Sequence, residues 1–358
     1  MGGRRLLLFN LATDADDPIL GFTHDWIRSL AARVEDLDVV TMSAGRVDVP
    51  ANVRVHSVGK ERGYSEPRRA VELYRIFARL DWLRGYDACF AHMQPLFAVM
   101  AAPILRVRRV PLTLWYTHPA TTVMLRAAIA VSDAVVTASR ESINVASPKI
   151  VAIGHGIDTD LFRPAAVPAG DDASEFRVLW VGRIAPVKGL ELLVDAVAAL
   201  RPRLDAGLEV TLAGPVAPAD AGYRQDLGRR IDAAGLTDAF HFPGSMARAT
   251  LPALLQRSSV AVNLTARGGF DKAALEAMSC GIPLVTTNAS FRPLLAEAGA
   301  PELLAPPDGD GLAAVLAELA GLGADERADL GRRLRACVVA HHSLDRLTER
   351  LTEDILFR

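Results

Sequence analysis

Lysine is scarce in this chain of 358 residues: of 40 basic residues only Lys60, Lys149, Lys188 and Lys272 are lysines. Where arginine is the default, a lysine at a motif position is less easily an accident. Cysteine is scarcer still. Cys89, Cys280 and Cys337 lie far apart among apolar neighbours with no C-x-x-C spacing, which fits buried thiols in a reducing compartment. No stretch approaches the roughly 18 apolar residues of a membrane span. The first apolar run, LLLFNL, is too brief for the core of a signal peptide and lacks a cleavage-site pattern, so it reads as a first strand. These absences favour a cytoplasmic protein. A net charge of −2 gives no overall reason to expect nucleic acid as a partner. His341 and His342 are adjacent and face apart on a helix, and no metal cluster is apparent.

What is present is alternation. The runs RRLLLFNL, LDVVTMS, YDACFAH, VPLTLWYTH, DAVVTAS and KIVAIGHG are rich in β-formers and alternate with helical stretches through residue 156. The Ala-, Pro-, Gly- and Asp-rich AAVPAGDDASE follows, and then the alternation restarts with FRVLWVGR, LEVTLAG, AFHFPG, SVAVNLTA and IPLVTTN. The pattern predicts an α/β protein of two Rossmann-like, doubly wound domains: 1–164, a linker over 165–176, and 177–340. Residues 341–358 are predicted to form a terminal helix, capped near Ser343, that packs back on the first domain. Residues 1–164 carry 20 basic against 17 acidic residues, about +3, and residues 165–358 carry 20 against 25, about −5. An anionic partner would more plausibly meet the first half. In open α/β sheets ligands bind beyond the carboxyl ends of the strands, so motifs there carry the functional reading, and the cleft between two such domains is the expected site.

Two such motifs lie in the second half. In VLWVGRIAPVKG, Arg183 and Lys188 flank the turn from strand to helix, where two cations can converge on one anion. In GGFDKAALEAMSCG, Gly268 and Gly269 allow close backbone approach before a helix that starts near Phe270 or Asp271, and free N–H groups at such a start favour phosphate. Glu276 is the one acid on an otherwise small and apolar turn of that helix, a costly place for a carboxylate without a task. Taken alone, the first turn reads as well as a solvated surface, and Glu276 as an i, i+4 partner of Lys272.

Together, GR-x4-KG and the L-E-A-M-x-C-G-x-P helix about 90 residues later resemble the family 4 retaining glycosyltransferases of the GT-B fold. IGHGIDTDLFRP, LAGPV, FPGSM, DACFAHMQP and LTLWYTH resemble further parts of the family pattern over nearly the whole chain. The resemblance implies a hexosyltransferase-type enzyme that moves a sugar from a UDP-, GDP- or ADP-sugar to a hydroxyl of a glycan, lipid or small molecule, with retention and without metal or other cofactor. Arg183 and Lys188 would neutralise the leaving diphosphate, helped by backbone N–H groups around Gly269, Phe270 and Asp271. Glu276 would hold the ribose, while Gly214, Gly244, Ser245 and Met246 would border the nucleotide. The leaving phosphate oxygen would itself take the acceptor's proton.

Some positions depart from the family pattern. The acid usually found eight residues before Glu276 is here Gly268, so Asp271 is expected to take over part of the sugar contact, with Lys272 steering it or reaching phosphate. The acceptor loop offers only Gly21, followed by Phe22, Thr23, His24 and Asp25. His24 and Asp25 read as acceptor contacts or as a helix-start cap. His92 and His118 end β-rich runs. By resemblance His92 is the candidate for the reaction centre and His118 a neighbour on the acceptor side. The helix within 60–87 carries Arg68, Arg69, Arg75 and Arg79 beside an apolar face from Val71 to Leu83. It is a candidate for peripheral contact at the inner membrane face through 66–84, or for plain packing on the sheet. Two alternatives stay open: a nucleotide-sugar-binding protein without transfer, and a sugar-nucleotide epimerase of the same fold. A dinucleotide oxidoreductase is disfavoured, because no G-x-G-x-x-G follows the first strand.

Overall fold

The computed structural model describes residues 3–17, 20–165, 175–265 and 268–358. The chain divides into two compact units, one of Met1–Gly156 with Leu344–Arg358 and the other of Ile157–Ser343.

In the first unit seven strands form one sheet: β1 (Arg5–Thr13), β2 (Asp36–Ala44), β3 (Val53–Ser57), β4 (Ala88–His92), β5 (Leu112–Trp115), β6 (Ala134–Thr137) and β7 (Ile150–Ala152), in the order β3-β2-β1-β4-β5-β6-β7. Every pairing is parallel. The helices are α1 (Thr23–Ala31), α2 (Glu66–Arg79), α3 (Pro95–Arg108) and α4 (Val123–Val131). Leu7, Phe9, Phe77, Phe97 and Leu114 fill one face of the sheet, and Leu6, Trp26, Ile27, Phe90 and Trp115 the other. β3 is not among the strands expected from the sequence. VRVHS alternates only weakly because Arg54 and His56 face a charge, Asp38, rather than an apolar core.

The second unit has five parallel strands in the order β10-β9-β8-β11-β12: β8 (Glu175–Val181), β9 (Gly207–Ala213), β10 (Phe240–Gly244), β11 (Val260–Asn263) and β12 (Leu284–Thr286). These are the five that the alternation predicts. Around them lie α5 (Leu190–Leu200), α6 (Ala221–Ala233), α7 (Leu251–Gln256), α8 (Lys272–Ser279), α9 (Arg292–Glu297), α10 (Gly309–Gly321) and α11 (Ala324–His342). α11 lies so close to the turn after α8 that a Cβ on Gly331 would be 1.8 Å from the Gly281 carbonyl oxygen. Cys89, Cys280 and Cys337 are free and buried.

The tail breaks at Ser343, and α12 (Leu344–Leu351) packs Leu344, Leu347 and Leu351 against Trp26, Ile27 and Leu30 of the first unit. Composition places the end of the first domain at residue 164, whereas Ile157 and Phe162 are fully buried in the second unit's core. The polar stretch after Pro164 obscures that earlier crossing. The expected linker, 165–176, lies for residues 166–174 outside the described residues. Among the described residues no helix is long and apolar enough to cross a membrane.

Candidate active site

Because the second unit's strands are all parallel, their carboxyl ends share one edge of the sheet, and the turns leaving them touch. The N–H of Gly182, after β8, donates to Ala213 O at 2.9 Å, and that of Gly214, after β9, donates to Gly244 O at 2.9 Å at the end of β10. A Cβ on Gly214 would fall 1.7 Å from the Gly182 carbonyl oxygen, so only glycine permits this approach. Ser245 is exposed beyond this brace, and Met246 leans on the core.

Lys188 stands at the end of the next turn, where Gly189 at φ +62 turns the chain into α5. Its ammonium donates to Asp271 Oδ2 at 2.5 Å, and both side chains are only about one-fifth exposed. The same oxygen accepts from Asn263 Nδ2 at 3.2 Å, and Asn263 Oδ1 accepts from the Thr286 hydroxyl at 3.1 Å. Asp271 occupies the N-cap of α8, yet its side chain makes no capping bond there. The leading N–H groups of α8 thus have no side-chain acceptor at the cap, and the positive end of the helix is left to attract an anion.

The loop before α8 is tethered from β12. The Ser290 hydroxyl donates to Gly268 O at 2.7 Å and Asn288 Nδ2 to Gly269 O at 3.1 Å. Phe270 anchors it by edge-on contacts to Phe291 at 5.0 Å and His342 at 4.7 Å. Burial, with His341 alongside, pulls the His342 imidazole down to about 4. Glu276, 7 % exposed, lies between the buried Leu275 and Ala277 on α8, with Lys272 at the helix start. Burial, then the Glu276 charge, pushes the Cys280 thiol up to about 12, so that cysteine is an inert packing group.

The two expected phosphate-binding cations face different carboxylates. Lys188 is held by Asp271, whereas Arg183 is 60 % exposed with its Nε 4.0 Å from Asp220. The structure therefore brings Lys188, Asp271 and the α8 start together and leaves the long Arg183 side chain on the surface.

In the first unit the strand ends carry rings instead. His92, at the end of β4, is buried 4.6 Å from Trp26 and 6.3 Å from Trp115, with Phe90 and Phe22 each at 6.2 Å. Met93 follows at φ +55, a left-handed conformation that costs a non-glycine residue about 1–2 kcal/mol. Its N–H donates to Trp115 O at 2.9 Å. The Gly21 N–H donates to Asp17 O at 2.9 Å. Phe22 precedes α1 as its N-cap residue and its side chain makes no capping bond. His24 is buried, accepts weakly from the Asp48 N–H at 3.5 Å, and is pulled down in pKa by burial and by Arg28. His118 is exposed, with its Nδ1 accepting from the Ala120 N–H at 3.0 Å.

Residues 175–321, most of this second unit, match the family described as Glycosyl transferases group 1. Over this segment the chain is similar to the group 1 glycosyl transferases. It is 34 % identical over 139 residues to the D-inositol 3-phosphate glycosyltransferase of Arthrobacter sp. (strain FB24), covering 37 % of this chain and 32 % of that protein. It is 31 % identical over 206 residues to the GDP-mannose:cellobiosyl-diphosphopolyprenol alpha-mannosyltransferase of Komagataeibacter xylinus, covering 55 % and 50 %. The chain thus spans between about a third and half the length of these curated relatives. In fold it resembles Anabaena Alr3699/HepE, solved in complex with UDP, at TM-score 0.72 and 17 % identity over 98 % of this chain and 99 % of that one. Sucrose-phosphate synthase (tll1590) from Thermosynechococcus elongatus gives TM-score 0.71 and 18 % identity over 98 % of each chain. The fold is accordingly GT-B.

Asn263, Thr286, Asn288 and Ser290 are parts of the candidate site that motif reading passes over. The signal was present, since VAVN and LVTTN each run from apolar strand into a buried polar side chain at the strand's end. A buried amide there needs a partner, and the partner is the motif loop. Among the described residues no group of three His, Cys, Asp or Glu side chains is placed to hold a metal ion.

Proposed function

We propose that this protein transfers a sugar from a nucleoside-diphosphate donor to a hydroxyl acceptor with retention at the anomeric carbon. The observation that supports this most is the meeting of Lys188 and the α8 start, through Asp271, at the carboxyl edge of one sheet, with buried Glu276 further along the same helix. As the bond from the anomeric carbon to the diphosphate oxygen breaks, negative charge grows on that phosphate. Lys188 and the α8 N–H groups stabilise it as fixed positive groups, and Arg183 joins them by swinging from Asp220. The leaving phosphate oxygen takes the acceptor hydroxyl's proton, and the new bond forms on the face that the diphosphate leaves. Glu276 accepts from the ribose hydroxyls, Gly214, Gly244, Ser245 and Met246 border the nucleotide, and Asp271 and Lys272 meet the donor sugar and phosphate. In the first unit, His92 with Phe22 is the candidate reaction-centre and acceptor surface, joined by Gly21, His24, Asp25 and His118.

The donors named for relatives include GDP-mannose, and HepE was solved with UDP, so both bases are candidates here, with ADP as a third. A thermal-shift screen with UDP-, GDP- and ADP-sugars tests the reading, because a ligand of the folded form raises its Tm. At least one donor should raise Tm in wild type, and Glu276→Ala should lose most of that shift. No shift with any donor would refute the proposal. Binding without transfer to a broad acceptor panel would instead identify a nucleotide-sugar-binding protein, and conversion of donor alone an epimerase.

A cytoplasmic site of action with peripheral membrane contact through 66–84 is a second part of the reading, favoured by one observation. α2 buries Leu73, Ile76 and Phe77 but exposes Val71 and Tyr74, and Asp81, Trp82 and Leu83 follow with positive φ, leaving Trp82 44 % exposed. Arg68, Arg75 and Arg79 flank them. In sedimentation with vesicles rich in anionic lipid, Trp82→Ala should lower the bound fraction severalfold, and equal sedimentation with neutral vesicles would remove this reading.

A further inference from the structure

We infer that Asp271 is the resident counter-ion of Lys188, which holds that lysine in the ligand-free protein and gives it up to the terminal phosphate of a nucleoside diphosphate. The inference deepens the functional reading above and rests on it. It starts from an aspartate that does not do what its position predicts. At the N-cap of a helix a carboxylate ordinarily accepts from the leading N–H groups, but Asp271 makes no such bond and turns to Lys188 at 2.5 Å. Both side chains are about four-fifths covered, so this is not a surface pair of little consequence: a lone lysine there would sit poorly solvated and unmatched.

Among the described residues the pair is anchored on one side only. Asp271 is also held by Asn263, which is 4 % exposed and fixed in turn by the fully buried Thr286. The carboxylate is therefore pinned to the ends of β11 and β12. Lys188 has a flexible four-carbon stem at the end of a short turn that stops at Gly189. Of the two partners, the lysine is the one free to move. An incoming phosphate at the α8 start meets the ammonium it needs and, beside it, the carboxylate already using that ammonium. Binding exchanges one anion for another on Lys188 and leaves two negative groups close together. Asp271 thus tunes affinity downward, and most for a diphosphate, whose terminal phosphate reaches Lys188 beside the carboxylate; a monophosphate, which lacks that group, is penalised less.

Asp271→Asn tests this, because the amide keeps the size and an oxygen but loses the charge. UDP, GDP and ADP, with the matching monophosphates, are titrated calorimetrically into wild type and variant. The diphosphate that wild type binds should bind about tenfold tighter to the variant, with a smaller gain for its monophosphate. A second readout needs no ligand. With only four lysines in the chain, acetylation of each is resolved by peptide mass mapping, and Lys188 should label severalfold faster in the variant while Lys60 and Lys149 do not change. Asp271→Ala, which also loses the Asn263 bond, should move both readouts the same way. Diphosphate affinity that is unchanged or weaker in the variants would overturn the inference, as would an unchanged Lys188 labelling rate. If none of the three diphosphates binds wild type or variant, the functional reading falls, and this inference with it.

Discussion

The two units share a parallel-sheet plan and differ in what closes their strand ends. In the second unit the turns are braced backbone to backbone, Gly182 on Ala213 and Gly214 on Gly244, and charge is then added by Lys188 and Asp271. In the first unit the corresponding edge is closed by side chains, with His92 set among Trp26, Trp115, Phe90 and Phe22. The buried charge of that unit lies elsewhere, near the amino end of β2, where Asp38 binds Arg54, His56 and Tyr86. A backbone-built edge demands particular residues at particular places, because only glycine fits a contact that close. A packed ring cluster demands volume and accepts several residue types.

The sharpest way to break this contrast is to add one carbon at Gly214. Its Cβ would overlap the Gly182 carbonyl oxygen, a backbone atom that cannot rotate away. Gly214→Ala should therefore destabilise the protein by about 3–4 kcal/mol, a large value for a single methyl group, or force the β8 and β9 turns apart. Urea unfolding gives the first quantity, and loss of the donor-induced Tm shift reports the second. A variant that keeps wild-type stability and donor response would show that the brace is not needed.

In the first unit the equivalent strain is placed on charge. Burial on its own raises the Asp38 pKa, but hydrogen bonds from His56, Arg54 and Tyr86 outweigh it and hold the carboxyl well below its ordinary 3.8. A carboxyl depressed in the folded state stabilises fully above its unfolded pKa, and that stabilisation is lost as pH falls through the native value. Asp38→Asn should cost about 2–3 kcal/mol at pH 7, and the gap to wild type should narrow below about pH 4 as the unfolded chain's carboxyl protonates. Unfolding midpoints at pH 7, 5 and 3.5 check both parts. A gap that stays constant with pH would mean that the charge contributes nothing.

What the sequence disclosed follows the same division. The five strands of the second unit, the α8 start and the positions of Lys188 and Glu276 were legible because glycines, a rare lysine and an isolated acid mark places where the backbone or a buried charge leaves no choice. β3 was not, since its Arg54 and His56 answer to Asp38 across the sheet rather than to an apolar period. The Lys188–Asp271 pair, 83 residues apart in the chain, was equally hidden, because sequence spacing reports neighbours on one element and not partners on two.

The smallest effect on stability, and the finest test of the contrast, is expected at His92. If the first unit's edge is held by ring packing, Phe fills the same space between Trp26 and Trp115, and His92→Phe should change unfolding stability by less than about 1 kcal/mol. A role in transfer depends instead on the imidazole nitrogens, which Phe lacks, so turnover should fall about tenfold or more while the donor-induced Tm shift is kept. Chemical unfolding and turnover of the same preparation separate the two. Equal turnover would make His92 a packing residue and move the reaction centre off β4, whereas a loss of stability above about 2 kcal/mol would show that the ring cluster is as exacting as the glycine brace.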